Sequence, residues 1–453
     1  MSPPRSTTRR TSRLSVAAVV CSLLMAGLAA CGGGGSADNV LRWYIYAEPS
    51  GAFVDAAADC TEAAEGRYVI ETVDLPANAD EQREQLVRRL AAGDRDIDII
   101  GMDVIWTAEF VEAGWIDPVA EDQSEAATED RLDAAIESAT YDDTLYAAPF
   151  NSNAVLLWYR EGLTPDPPAT WDEMIEDAAQ LQAEGEPNLI LGQGQRYEGL
   201  VVWFTSLLAS AGGSVLNEDG TEAALEEGPT VRALEIMRDM ANSPSAPPNF
   251  ATAREDDARL EWEAGQSAFM TNYSFVWPSA NGNAPELAEE MAWTRFPAVE
   301  PDMPSRVTIG GFNLGVGAFS DQPELAAEAV TCLVGEDNQI RNAIAGGLLP
   351  VTESLYEDPE LTEATTEAEP DEEAEEEADE GDGEAVEILA FPYAETIRDA
   401  LQDAVVRPQT PFYNDVALAI ARTLHPTEGI DPERDAERLR DAIEAALQGE
   451  GLL

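Results

Sequence analysis

From Val40 onward the chain alternates short apolar runs with amphipathic stretches. Val40-Leu41-Arg42-Trp43-Tyr44-Ile45-Tyr46 is aromatic and β-favouring and predicts a strand. Phe53 to Cys60 predicts a helix, and Tyr68 to Leu75 alternates as a second strand would. Asp80 to Ala92 places Leu86, Val87 and Leu90 at helical spacing, and Gly93 closes it. Ile97-Asp98-Ile99-Ile100-Gly101 is a short apolar run between turn residues, as a buried parallel strand requires. This β-α-β-α-β order predicts an α/β lobe around a mostly parallel sheet.

Strands are then expected over Leu145 to Pro149 and Asn153 to Tyr159. Thr170-Trp171-Asp172-Glu173 is a capping box opening a helix to about Ala183. Leu189 to Gly192 reads as a strand. Glu198 to Ala211 is an apolar helix stopped by Gly212-Gly213, with Trp203 in the core. Helices are expected over Thr230 to Asn242 and Glu255 to Gly265, a strand over Ser267 to Met270, and a β-like run over Val307 to Val316. Pro323 to Val334 and Asn338 to Gly346 return to helix. Between Glu357 and Glu387 there are 17 acidic residues and no basic one. Such a block buries no core, and a disordered loop is expected. Helix resumes near Val386, with a break at Arg407 to Tyr413.

The first residues follow another pattern. Arg5, Arg9, Arg10 and Arg13 precede an apolar run from Leu14 to Ala30, which ends at Cys31. This is the layout of a secretory signal peptide, and the cysteine at the junction resembles a bacterial lipobox. Cys31 is therefore expected to carry lipid, with Gly32 to Gly35 opening a flexible tether. The body is expected outside the cytoplasm, held to the membrane only by that lipid. About 420 residues then remain, enough for two cores. Two cysteines remain as well, Cys60 and Cys332, and in an oxidising compartment a disulfide is the expectation.

Charge and residue type exclude much chemistry. Asp and Glu number 88 against 26 basic residues, all Arg, for a net charge of −62. An excess of that size repels nucleic acid and anionic lipid and fits a protein adapted to high salt. The one histidine, His425, precedes Pro426, so a multi-imidazole zinc site is impossible. No lysine exists for a P-loop or a Schiff base. No cofactor or metal is expected. Carboxylate pairs keep a glycosidase open on residue type alone, and a structural or adhesive lipoprotein is a further alternative.

Four stretches carry a resemblance. They are Ile97 to Trp106 (IDIIGMDVIW), Phe110 to Val119 (FVEAGWIDPV), Pro149 to Asn153 with Leu157 to Arg160, and Glu263 to Met270 (EAGQSAFM). Their order and spacing resemble the family 1 solute-binding proteins of ABC sugar importers. Trp43-Tyr44-Ile45, Gly310 to Val316 and Arg407 to Tyr413 are most similar to the trehalose/maltose-binding, LpqY-like lipoproteins of that family. The resemblance implies a two-lobed α/β fold of the periplasmic-binding type II, with interleaved crossings. Its segments would be the signal peptide (1–30), the tether (31–39), a first lobe (40–148 and 306–356), a second lobe (149–305 and 387–453) and the acidic loop (357–386).

It also implies a monomer that captures an α-linked disaccharide, with trehalose expected, closes its lobes and delivers the sugar to a membrane permease. Another solute, such as a glucosylated polyol, is the alternative within the family. Carried over position by position, the ligand residues would be Glu48, Asp103, Asn153, Tyr197, Glu255, Tyr273, Phe275, Gly311 and Arg407. These types suit a sugar, whose apolar face stacks on aromatic rings and whose hydroxyls need paired donors and acceptors.

Overall fold

The alternating and apolar runs near the N-terminus meet in one five-stranded sheet. Its order is Val69–Leu75, Val40–Tyr46, Ile99–Asp103, Gly310–Val316 and Ala147–Asn153. The computed structural model describes residues 39–368 and 386–450. The expected signal peptide, Cys31 and residues 369–385 of the acidic stretch lie outside the described residues. A second sheet has four strands, in the order Met291–Arg295, Leu156–Arg160, Ser267–Asn272 and Leu189–Leu191. Helices pack on both sheets, giving an α/β protein of two lobes.

The sheets are mixed, not mostly parallel. Gly310–Val316 runs antiparallel to both of its neighbours, because it enters the first sheet on the chain's return from the second. Leu156–Arg160 is likewise antiparallel to both neighbours. Hydrophobic periodicity reports that a strand is buried and not which way it runs. The expected strands at Leu145 and Asn153 are also redrawn, as Ala147–Asn153 and Leu156–Arg160. Pro149 lies inside the former, which is tolerated because that strand forms the sheet edge beside the irregularity at Phe312 and Asn313.

Local signals hold where the chemistry is specific. Glu173 N–H donates to Thr170 Oγ1 at 3.2 Å and Thr170 N–H donates back to Glu173 Oε2 at 3.1 Å, closing the capping box of helix Trp171–Glu184. The apolar helix Glu198–Ser210 is buried on all sides from Gly199 onward, so it serves as the central pillar of the second lobe. Helix Tyr413–Leu424 packs against it, and helix Pro432–Leu447 packs against Tyr413–Leu424 and Glu227–Asn242. Cys60 and Cys332 form a disulfide of 2.04 Å that ties helix Ala52–Ala63 to helix Pro323–Leu333 across 272 positions of sequence. A loop of that length strongly restricts the unfolded chain.

The described ends of the acidic segment carry regular structure, where a disordered loop over 357–386 was the expectation. Asp358 caps a short helix, Pro359–Thr362, by accepting from Glu360 N–H at 2.8 Å. Thr365–Ala368 then pairs antiparallel with Val386–Leu389. Leu361, Tyr356 and Phe391 are buried beside these pieces, and Trp277 Nε1 donates to Leu389 O at 3.0 Å. A few apolar residues thus anchor both arms in spite of the charge around them. Among the described residues, no helix is long and apolar enough to cross a membrane.

Candidate functional site

A cavity of about 520 Å³ opens where strand ends of the first lobe face helix starts of the second. Asp103 and Asn153 are the last residues of strands Ile99–Asp103 and Ala147–Asn153, and Gly310 and Gly311 begin Gly310–Val316. Opposite them, Tyr197 caps and Glu198 opens helix Glu198–Ser210, while Glu255 opens helix Glu255–Glu263. Tyr273 follows strand Ser267–Asn272. Arg407 comes from the irregular segment before helix Tyr413–Leu424. Seven of the nine residues named from sequence therefore share one hollow: Asp103, Asn153, Tyr197, Glu255, Tyr273, Gly311 and Arg407.

Two backbone details shape the walls. Gly311 has φ +117°, and a Cβ there would lie 2.2 Å from Asn151 O, so only glycine allows the turn to approach so closely. A Cβ on Gly199 would lie 2.2 Å from the Tyr197 hydroxyl, so glycine is also what lets that ring fold back over the helix start. The Arg254 guanidinium then lies 5.2 Å from the Tyr197 ring centre, in the range of a cation–π contact.

Arg407 is the electrostatic centre. Its side chain is 4% exposed; Nη1 donates to Glu198 Oε1 at 2.7 Å, and Nη2 reaches Asp103 Oδ1 at 3.5 Å and Ile309 O at 3.4 Å. It therefore links an acid of the first lobe to an acid of the second. Its Nε is buried with no partner. The Tyr413 hydroxyl donates to the same Glu198 oxygen at 2.5 Å.

Burial raises the Glu198 carboxyl to about 7 although Arg407 and the Tyr413 hydroxyl oppose it. Burial also raises Asp103, against Arg407 and the Ile105 N–H, and raises Glu255. Arg407 is raised: desolvation alone would lower it, but Tyr413, Asp103 and Glu198 outweigh that. The Tyr197 hydroxyl faces the Glu255 carboxylate without the geometry of a full hydrogen bond, and burial raises it well above its usual value.

Two expected ligand residues lie elsewhere. Glu48 accepts from Ser50 N–H at 2.9 Å, Ser50 Oγ at 2.5 Å and Ala52 N–H at 3.1 Å. It satisfies the exposed donors at the start of helix Ala52–Ala63 and does not line the cavity. Phe275 packs against the core, where the turn it occupies abuts Gly347. The aromatic wall of the first lobe comes from Tyr46 and Phe312, whose rings lie 5.0 Å apart. Those two residues, with Asp80, Glu198 and Arg254, were missed from sequence. Glu198 had one signal, an acid opening an apolar helix, which is also what a helix dipole favours at any N-terminus.

Among the described residues, no group of His, Cys, Asp and Glu is arranged to hold a metal ion. His425 does not line the hollow and contacts Ala251 O at 2.9 Å. What the cavity offers is two aromatic faces on one side, two tyrosines on the other, and a surplus of hydrogen-bond acceptors between them.

Comparison with known proteins gives a consistent context. Residues 54–340 match the family model described as bacterial extracellular solute-binding protein. A probable ABC transporter-binding protein of Deinococcus radiodurans is 26% identical over 373 residues, covering 79% of this chain and 81% of that protein. The diacetylchitobiose binding protein DasA of Streptomyces coelicolor is 23% identical over 262 residues, covering 56% of this chain and 60% of its own. Among solved structures, the maltose-bound MalE3 of T. maritima superposes with a TM-score of 0.75 at 26% identity, covering 89% of this chain and 99% of its own.

Proposed function

The chain belongs to the bacterial extracellular solute-binding protein family, whose members serve ABC transporters and are not enzymes, and on that premise we propose that it captures an α-linked disaccharide, trehalose first. The observation that carries this is the convergence of Asp103, Asn153, Tyr197, Glu255, Tyr273, Gly311 and Arg407 around one cavity. Aromatic rings on opposite walls suit the apolar faces of two sugar rings, and the acids suit their hydroxyls.

Cys31 anchors the mature monomer to the outer face of the membrane through lipid. The lobes close on the sugar, and the closed form is what the permease receives. Arg407 supports the closure step, because it contacts an acid from each lobe and a ligand at its side would draw both walls inward.

A thermal-shift series at molar salt tests the reading. Trehalose, and maltose more weakly, should raise the melting temperature by a few degrees at saturating concentration, since a native-state ligand stabilises by mass action. If no disaccharide shifts the transition, or if glucose is released during incubation, the reading fails.

A further inference from the structure

Two cations line the cleft, and the acids around them outnumber them. Arg407 is engaged by Glu198 and Asp103. Arg254 lies against the Tyr197 ring and its Nε donates to the Gln195 side chain. Facing them are Asp80, Asp103, Glu198 and Glu255. Of these only Glu198 is held firmly, by an arginine and a tyrosine hydroxyl. Asp103 accepts from Ile105 N–H at 3.2 Å and shares Arg407 at 3.5 Å. Glu255 faces Tyr197, and Asp80 feels Arg83 and Arg254 only through space.

Building on the reading of this cleft as a saccharide site, we propose that it sorts saccharides by charge. Uncharged sugars enter, sugars carrying a protonated amine bind more tightly, and anionic sugars such as phosphates and uronates are rejected. Asp103 and Glu255 set the preference, with the exposed Asp80 adding to it only at low salt.

A phosphate would find the Arg407 fork already occupied by two acids, and would sit among partly desolvated carboxylates where repulsion is strong. An ammonium group would supply the missing counter-charge. Burial pushes the Asp103 and Glu255 carboxyls upward, as expected of negative charge without enough compensation. A neutral sugar meets those acids as a hydroxyl donor. The buried Nε of Arg407 then offers a donor for a sugar oxygen, but its positive charge is already balanced.

The net charge of −62 predicts some rejection of anions by the whole surface, and salt separates the two effects. At about 1 M salt the screening length is roughly 3 Å, so the field of exposed acids vanishes while that of buried acids is largely kept.

Calorimetric titration in molar sodium chloride with trehalose, 6-amino-6-deoxytrehalose and trehalose 6-phosphate provides the test. The amine should bind about tenfold more tightly than trehalose, and the phosphate at least about 100-fold more weakly. In D80N/E255Q the ratio between amine and phosphate should shrink at least about tenfold. The single variant E255Q should shrink it in the same direction if the double variant does not fold.

Equal binding of trehalose and its phosphate overturns the proposal, as does a ratio that disappears at molar salt or survives in the variants. In those cases the saccharide reading stands. If none of the three sugars binds, and maltose also fails, the reading falls and the charge filter falls with it.

Discussion

Arg407 and Asp435 each sit at the centre of a knot of opposite charges, one in the cleft and one on helix Pro432–Leu447. In the cleft every member is covered: Arg407 is 4% exposed, Glu198 12% and Asp103 14%. On the terminal helix only the acid is covered. Asp435 is 3% exposed, while its partners Arg434 and Arg438 are 54% and 59% exposed. The acids respond in opposite directions. Burial lifts Glu198 to about 7 in spite of its partners. Burial would lift Asp435 too, but Arg434, the Asp431 N–H and Arg438 outweigh it and hold the carboxyl near 2. A cation that keeps its water stabilises a neighbouring acid, whereas a cation that must be desolvated with the acid gives back much of the attraction. The outer knot stabilises the fold. The inner one carries a desolvation cost, which the proposed ligand role of the cleft would account for.

Removing the central cation of the cleft should produce the largest effect. Arg407→Met leaves Glu198 and Asp103 buried without a counter-charge, and deleting one partner of such a set costs about 3–5 kcal/mol. Sugar affinity should fall at least about 100-fold. The matching change outside, Arg438→Met, should cost under about 1 kcal/mol and leave affinity unchanged. Urea unfolding and calorimetric titration of the two variants measure both quantities. Similar losses from the two would break the contrast.

The contrast also has a pH signature. Glu198 is protonated more readily folded than unfolded, where its value is near 4.5. Between about 4.5 and 7 the native state binds the extra proton, so stability falls as pH rises through that window and is flat above it. Replacing the acid with Glu198→Gln removes the dependence. The variant should gain on the wild type as pH is raised from 4.5 to 7.5, by about 2–3 kcal/mol at most. Melting curves at five or six pH values suffice, and a difference that shrinks with rising pH would show Glu198 to be stabilised in its ionised form.

The two knots also differ in how far the sequence announces them. Strand ends of the first lobe are readable, because Ile97 to Asp103 and Gly310 to Val316 carry apolar runs that stop at a polar or glycine residue. Asp103 and Gly311 are nevertheless named by the family resemblance of those segments and not by the pattern itself. Tyr46 and Phe312 were missed because an aromatic in a strand reads as core, and only the twist and register bring these two rings to the rim. Glu198 was missed because an acid at a helix start needs no further explanation. Glu48 shows a related ambiguity, since a carboxylate after a strand can cap the next helix as readily as hold a ligand. Strand direction is legible for the first three strands, which pair parallel as their β-α-β-α-β order implies, and illegible for the strand of the chain's return, where it depends on which lobe the chain comes from.

The smallest expected effect belongs to Asp435, and it sharpens the contrast by being small. Its carboxylate is covered by two flexible arginines that remain in water, so its large downward shift overstates its contribution once solvent screening is counted. Asp435→Asn keeps an oxygen for the Asp431 N–H, now held at 2.8 Å, and loses only the charge. The variant should be less stable by about 1 kcal/mol at neutral pH. A depressed acid contributes above its unfolded value and loses that contribution as pH falls toward 2, so the gap between variant and wild type should narrow from pH 5 to pH 3. This slope is opposite in sign to that of Glu198. Sugar affinity should not change. Loss of affinity in this variant would mean that the terminal helix transmits to the cleft through helix Tyr413–Leu424, which packs between them, and the outer knot could no longer be called purely structural.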